Sequence, residues 1–321
     1  MDDALAVTEV NLSICIPTYQ RPKFLRWTLN RLIHAFPGAE IVVSDNDNDP
    51  GLSETWCLCC DGPVAWPEDA IQYIRQETNI GAFPNMYAAL SAATRKYAMY
   101  CADDDYLLPE GIAAGIEYLE ANPKIVAYCA PCQIWDEVNQ TPFWNAFTVK
   151  QPRTYGLMTS RELFNFLIED HIWPEHIIYR TPVPILPRTR AYWAFADLAT
   201  ILQAGDIYFS NQPFYRNLLV HPIGDRVQLG NVQCLTYFDE YRAGLEVLAH
   251  GLFGSNLPYT ARAKLQAMIG SFICARMHVA ARLYAREGHE TEAQMLMQRI
   301  AIADPRPDVP STHAIARTEH A

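Results

Sequence analysis

Positive charge is the first thing this sequence is short of: 25 Lys and Arg stand against 36 Asp and Glu, for a formal net charge of -11. Nucleic-acid phosphates are held by clustered Lys and Arg, and no basic stripe runs along the chain, so no nucleic-acid partner is expected. A long apolar run is lacking too. The most apolar late stretch, 267 to 285, is broken by Arg276, His278 and Arg282, which argues against a transmembrane span and leaves only peripheral membrane contact open. The first residues show none of the positive, apolar and small-residue segments of a secretory signal, and the nine Cys are odd in number and scattered. A cytoplasmic protein is therefore expected, at most peripheral at the inner face of a membrane. The paired CxxC spacing of a thiolate zinc site is missing as well. Cys57, Cys59 and Cys60 lack the usual gap and Cys129 and Cys132 stand far from them, so free thiols are expected.

What is present suits an ordinary globular protein: half the residues are hydrophobic and 19% are charged. At 321 residues the chain is long enough for one large α/β domain with an appendage and a sizeable core. Residues 11 to 16 read as a strand, 17 to 22 as the loop after it, and Pro22 sits where a helix begins, with Phe24, Leu25, Thr28, Leu29, Leu32 and Phe36 at helical spacing. Pro37 and Gly38 stop that helix. A second strand, 40 to 44, is nearly all apolar, as befits a parallel strand covered on both faces, and it ends at Asp45. Open α/β sheets bind ligands at the carboxyl ends of their strands, which makes Asp45 a candidate for a nucleotide base or ribose; a plain Asx turn is the alternative. Residues 51 to 70 look irregular, 71 to 75 form a third strand, 76 to 81 a turn, and 84 to 96 a helix.

The pattern centres on a buried strand at 97 to 101 that runs into Asp103, Asp104 and Asp105, with Pro109 opening the next helix. Three adjacent carboxylates repel one another, and the cluster becomes favourable where a divalent cation or a set of donors neutralises it. Mg²⁺ and Mn²⁺ suit such ligands because hard cations take carboxylate oxygens and leave positions for water and phosphates. The plainer alternative is that one of the three caps the helix at Pro109.

The order Ile14-Cys-Ile-Pro17-Thr18-Tyr19-Gln-Arg21-Pro, then Ile-Val-Val-Ser-Asp45, then Glu-Thr-Asn79-Ile-Gly81 with Asn85 after it, then Tyr-Cys-Ala-Asp103-Asp104-Asp105-Tyr-Leu-Leu-Pro, resembles the inverting family 2 glycosyltransferases of the GT-A fold. The resemblance covers residues 11 to about 225. It implies an α/β fold, Rossmann-like, with a mostly parallel sheet flanked by helices. It also implies a nucleotide-diphosphosugar donor, most often a UDP-sugar, a divalent metal, Mn²⁺ or Mg²⁺, and hexosyl transfer to an acceptor hydroxyl with inversion. Carried over by position, Pro17, Thr18, Tyr19, Arg21, Asp45, Asn79, Asn85 and Asp103 would bind the nucleotide sugar, with Asp45 on the base and Asp103 near the ribose. Asp104, Asp105 and His221 would face the metal. Ala102 stands where the commoner motif has a first acid, which leaves open which of the three acids ligates. Asp197 resembles the catalytic base, with Ala196 where a Glu is usual; the alternative is a helix cap.

Further along, 109 to 121 is expected to be a helix, 125 to 130 a strand, and 135 to 150 an irregular aromatic segment that could line an acceptor groove through Phe143, Trp144 and Phe147. Thr159 and Glu162 form a capping box for a helix to about 169. His176 is a weaker candidate for a sugar or phosphate contact. A single helix is expected over 192 to 205 and strands over 206 to 210 and 213 to 221. Helical spacing over 235 to 248, 260 to 287 and 290 to 301 predicts a C-terminal α-helical appendage. The expected domains are a catalytic one over 1 to 230, with a nucleotide-sugar half at about 11 to 130 and an acceptor half at 131 to 230. The appendage follows over 231 to 303, a possible homodimer interface, and then a disordered tail from 304 to 321. The acceptor would be a saccharide, a lipid-linked intermediate or a small molecule, in polysaccharide or glycoconjugate synthesis. Two rivals are a non-catalytic sugar-nucleotide or glycan-binding module of the same fold and a sugar nucleotidyltransferase. The latter needs a Gly-rich basic signature, and residues 11 to 25 contain no Gly.

Overall fold

The computed structural model describes residues 11–47, 54–60, 71–186, 190–224 and 235–303. The expected leader, most of the excursion at 51 to 70, the boundary at 230 and the tail from 304 lie outside them. The described residues gather into two compact units, one from 11–156, 174–186 and 200–224, the other from 157–173, 190–199 and 235–303.

The first unit is built on strands β1 (Leu12–Thr18), β2 (Glu40–Asp45), β3 (Ile71–Arg75) and β4 (Tyr97–Tyr100), with helices α1 (Pro22–Ala35), α2 (Glu54–Cys60) and α3 (Ala82–Ser91) between them. β1 and β2 are buried along nearly their whole length, the signature of parallel strands covered on both faces. Pro22 opens α1, and Leu25, Thr28, Leu29 and Leu32 form its buried stripe. Next come β5 (Tyr106–Leu107), α4 (Pro109–Ala121), β6 (Ile125–Cys129), β7 (Cys132–Asp136), β8 (Thr141–Asn145) and β9 (Arg153–Tyr155). The chain returns to this unit in β10 (Ile177–Arg180), β11 (Asp206–Phe209) and β12 (Tyr215–Val220).

The large sheet has the order β3-β2-β1-β4-β10-β6-β11-β9. β1 pairs parallel with both β2 and β4, so the chain winds outward to β3 and then crosses back to the other side of β1. The carboxyl ends of β1 and β4 therefore flank a topological switch point, the place where open α/β sheets bind ligands. A smaller sheet, β5-β12-β7-β8, begins just after it, and the three acids lie on the short link from β4 in one sheet to β5 in the other. α4 lies close against the large sheet because its Gly115 has no side chain: a Cβ there would come within 2.7 Å of Ile178 Cδ1 on β10.

In the second unit, α5 (Ser160–Glu169) and α6 (Trp193–Ala196) join three C-terminal helices, Phe238–Phe253, Tyr259–Arg286 and Glu290–Ala303. Trp173 is the hub of its core, ringed by Tyr192, Phe195, Tyr241 and Phe272 at centroid distances of 4.8 to 5.8 Å.

Several local expectations are corrected. The aromatic segment after Trp135 is not irregular but a hairpin, β7 and β8, whose inner residues pair across the smaller sheet. Phe147 is buried, while Phe143 and Trp144 remain 40% and 37% exposed on the edge strand. The excursion at 51 to 70 contains the helix α2, and the helix expected to reach 96 ends at Ser91. The single helix expected over 192 to 205 is two, α6 and α7 (Leu198–Ala204), separated at Asp197, which is the C-cap of α6. Thr159 stands at the N-cap of α5 without a side-chain cap hydrogen bond. Cys15, Cys59, Cys101, Cys129 and Cys132 are buried and form no disulfide, and Cys57 has its side chain outside the description. No helix among the described residues is long and apolar enough to cross a membrane.

Candidate functional site

At the switch point the loop after β1 meets the acids after β4. The Thr18 hydroxyl donates to Asp103 Oδ2 at 2.7 Å, and Arg21 Nη1 donates to Asp103 Oδ1 at 2.8 Å. Arg21 Nη2 is bonded to Asp104 Oδ2, so one guanidinium holds two adjacent carboxylates. From α1 the Thr28 hydroxyl donates to the Asp103 carbonyl at 2.9 Å, which fixes the turn from the helix side. Asp103 and Asp104 are only 4% and 8% exposed. Burial, with Asp104 beside it, pushes the Asp103 carboxyl well above the ordinary range, against the pull of Arg21 and Thr18. Burial works against the Arg21 charge, but the acids outweigh it and hold the guanidinium above its usual value.

Asp105 faces the other way. Its Oδ1 accepts from Leu218 N at 2.9 Å, and its Oδ2 accepts from the Tyr215 hydroxyl at 2.9 Å and from Asn217 Nδ2 at 3.2 Å. The Tyr215 hydroxyl in turn accepts from Ala102 N at 2.9 Å. The acid turn is thereby stapled to β12. Behind Tyr215 lies His176, with ring centroids 3.9 Å apart and a buried Nδ1 that meets no partner among the described residues. Burial lowers the His176 pKa to about 3 from the ordinary 6.5. Above pH 6.5 the ring is neutral folded or unfolded; below it only the unfolded chain takes up the proton. Stability should therefore fall by about 1.4 kcal/mol per pH unit between roughly pH 6.5 and 3. Urea titrations of wild type and His176→Phe across that range check this, with a shallower pH slope expected for the variant.

The expected nucleotide pocket residues cluster at the ends of β1 and β2. Asp45, fully buried, accepts from the Tyr73 hydroxyl at 2.8 Å and from Asp47 N at 3.0 Å. Asn85 is 2% exposed and is spent on the scaffold: its Nδ2 donates to Ser44 O at 2.9 Å and to Thr18 O at 3.3 Å, and its Oδ1 accepts from the Ser44 hydroxyl at 2.8 Å. It ties the ends of the two strands together. Asn79 accepts from Asn46 Nδ2 at 2.7 Å and from Gly81 N at 2.9 Å, shaping the turn before α3. Pro17 lies within β1, and Tyr19 just after it is 43% exposed, free to meet a ligand's flat face.

Asp104, Asp105 and His221 do not converge. Among the described residues no three of His, Cys, Asp and Glu are placed to hold a metal ion together. The His221 ring is packed edgewise at 5.0 Å on Phe24 and 4.5 Å on Trp27, and its Nδ1 accepts from Ile223 N at 3.1 Å. Asp197 is 1% exposed and belongs to the second unit, where its N donates to Trp193 O at 2.9 Å. Of the supporting residues Tyr73, Thr28, Tyr215 and Asn217, the sequence points only to Thr28, and to that only as part of the stripe of its helix; the others lie in strands whose partners it does not reveal.

The model of glycosyl transferase family 2 matches residues 13–193, more than half the chain. This chain belongs to that family. Abequosyltransferase RfbV of Salmonella typhimurium is 29% identical over 120 residues, which take in 36% of this chain and 34%, about a third, of that relative. Among solved structures, TarS 1–349 of S. aureus in complex with UDP-GlcNAc is 16% identical with a TM-score of 0.50, covering 94% of this chain and 95% of that one. The mannosyltransferase PcManGT from Pyrobaculum calidifontis, in complex with GDP-Man and Mn²⁺, is 14% identical with a TM-score of 0.51, covering 92% and 81%. At these identities the likeness is one of fold, and it agrees with the GT-A sheet expected from the sequence.

A divalent ion is implied by the family, and the donor set fits one in part. Two neighbouring buried carboxylates share a single guanidinium, an excess of negative charge that a hard cation would balance. The protein supplies few ligands, so such an ion would complete its shell with water and diphosphate oxygens, as Mg²⁺ and Mn²⁺ do.

Proposed function

We propose that this protein is an inverting hexosyltransferase that takes a sugar from a nucleotide-diphosphate donor, most simply a UDP-sugar, with Mn²⁺ or Mg²⁺, and passes it to an acceptor hydroxyl. The observation that carries this is the meeting of Thr18 and Arg21 with Asp103 and Asp104 at the switch point of the sheet. A nucleoside diphosphate placed there would find Asp45 and Tyr19 toward its base, Asp103 toward its ribose, and Asp104 toward its phosphates. Asp104 is the carboxylate we assign to the metal; Asp105 and His221 are assigned to holding the turn and to packing.

When bound, the divalent ion would neutralise the charge that grows on the departing diphosphate. Arg21 adds a second cation on the same side. Asp197 would accept the proton of the attacking hydroxyl, help typically worth ~10² to 10⁴-fold. The acceptor, whether saccharide, lipid-linked or small molecule, would enter past the exposed aromatics Phe143 and Trp144, whose faces suit sugar rings.

A thermal-shift screen of UDP, GDP, dTDP and CMP, each with and without Mn²⁺, tests the proposal. One diphosphate should stabilise the protein only when metal is present, by ~2.7 kcal/mol at a hundredfold excess over its Kd. Asp197→Asn should keep that shift and lose transfer from the matching sugar donor. No shift with any nucleotide would overturn the proposal, and a shift without donor consumption over an acceptor panel would mark a binding module.

A further inference from the structure

Arg21 occupies an unusual place for a residue that precedes a helix. It is the N-cap of α1, where its donor-only guanidinium cannot accept from the helix N–H groups, and it reaches back to Asp103 and Asp104. Gln20, just before it, has φ +54, the left-handed region that non-glycine residues seldom adopt, and the chain turns there from β1 toward the acids. The guanidinium lies 4.8 Å over the Phe24 ring, and the side chain is 28% exposed, so it is seated on one side and open on the other. Its two Nη groups span two carboxylates that would otherwise repel across a buried turn.

We infer that Arg21 stands in for the metal while the site is without donor, and that its displacement from Asp104 makes metal binding depend on the nucleotide diphosphate. This rests on the proposed function, in which Asp104 takes the metal. A dication and a guanidinium on one carboxylate repel each other and compete for its negative charge, even where they take different oxygens. Metal arriving alone therefore weakens the Arg21–Asp104 contact and leaves the guanidinium on Asp103 alone. A diphosphate arriving with the metal brings anionic oxygens that accept the guanidinium in a fork, the geometry it already uses on the acids. The two ligands then favour each other, and by linkage each raises the other's affinity by the same factor.

The test is Mn²⁺ binding to the full chain, read from the loss of the free-ion electron paramagnetic resonance signal, for wild type and Arg21→Gln with and without the diphosphate that the thermal screen selects. Without nucleotide, Arg21→Gln should bind Mn²⁺ ~10-fold or more tightly than wild type, and the enhancement given by nucleotide should shrink by a similar factor. Arg21→Lys, which keeps one charge but cannot fork two carboxylates, should fall between the two and serves if the Gln variant does not fold. Should Arg21→Gln bind Mn²⁺ alone no better than wild type, while both bind it with nucleotide, the stand-in role is overturned and the metal-dependent reading survives. Should neither protein bind Mn²⁺ under any condition, both are overturned.

Discussion

Asp104→Ala should lower kcat/KM by ~10³-fold or more, since ~4 kcal/mol of transition-state stabilisation is within what a positioned metal supplies. The same variant should lose the Mn²⁺-dependent part of the nucleotide thermal shift. Its stability without ligand should hold or rise. Asp104 is among the causes that hold the Asp103 carboxyl above its ordinary range, and removing it leaves Arg21 to pair with Asp103 alone. A cluster kept at a stability cost is what a functional site is expected to carry. Thermal melts with and without UDP and Mn²⁺, beside initial rates, check both halves. A variant that keeps the metal-dependent shift would remove Asp104 as the metal's carboxylate.

Much of the nucleotide half was legible because its signals are local. β1 and β2 are mostly apolar and buried, Pro22 and Pro109 sit at helix starts, and the acids follow a strand directly. The hairpin β7 and β8 was not legible, since Thr141–Asn145 is exposed throughout and carries no alternation of buried and exposed residues to read. The break at Asp197 was hidden for another reason: helix lies on both sides of it, and the chain passes from one unit to the other only beyond it, between 199 and 200 within α7. The roles of the acids were the least legible. Which of three adjacent buried Asp residues meets Arg21 and which is held by β12 depends on partners far away in sequence, and Tyr215 reaches Asp105 across 110 positions. Spacing alone treats the three as equals; the second sheet does not.

Asp105 is where that difference is largest, and the two substitutions there separate a ligand from a staple. Asp105→Ala takes the carboxylate acceptor away from Leu218 N and the Tyr215 hydroxyl, both on residues with no exposed surface. A buried donor deprived of its acceptor costs ~1 to 3 kcal/mol, so this variant should lose ~2 to 6 kcal/mol, read from its urea midpoint. Asp105→Asn keeps one oxygen for Leu218 N but turns an NH2 toward the Tyr215 hydroxyl and Asn217 Nδ2, which lose their acceptor, so it should lose less stability than the Ala variant. If Asp105 holds the turn, the Asn variant should keep the Mn²⁺-dependent nucleotide shift within about tenfold in affinity, while Tyr215→Phe, which frees Ala102 N, should weaken donor binding without touching any carboxylate. If Asp105 were instead a metal ligand, loss of its charge alone would remove the Mn²⁺-dependent shift as completely as Asp104→Ala, and Tyr215→Phe would leave it intact.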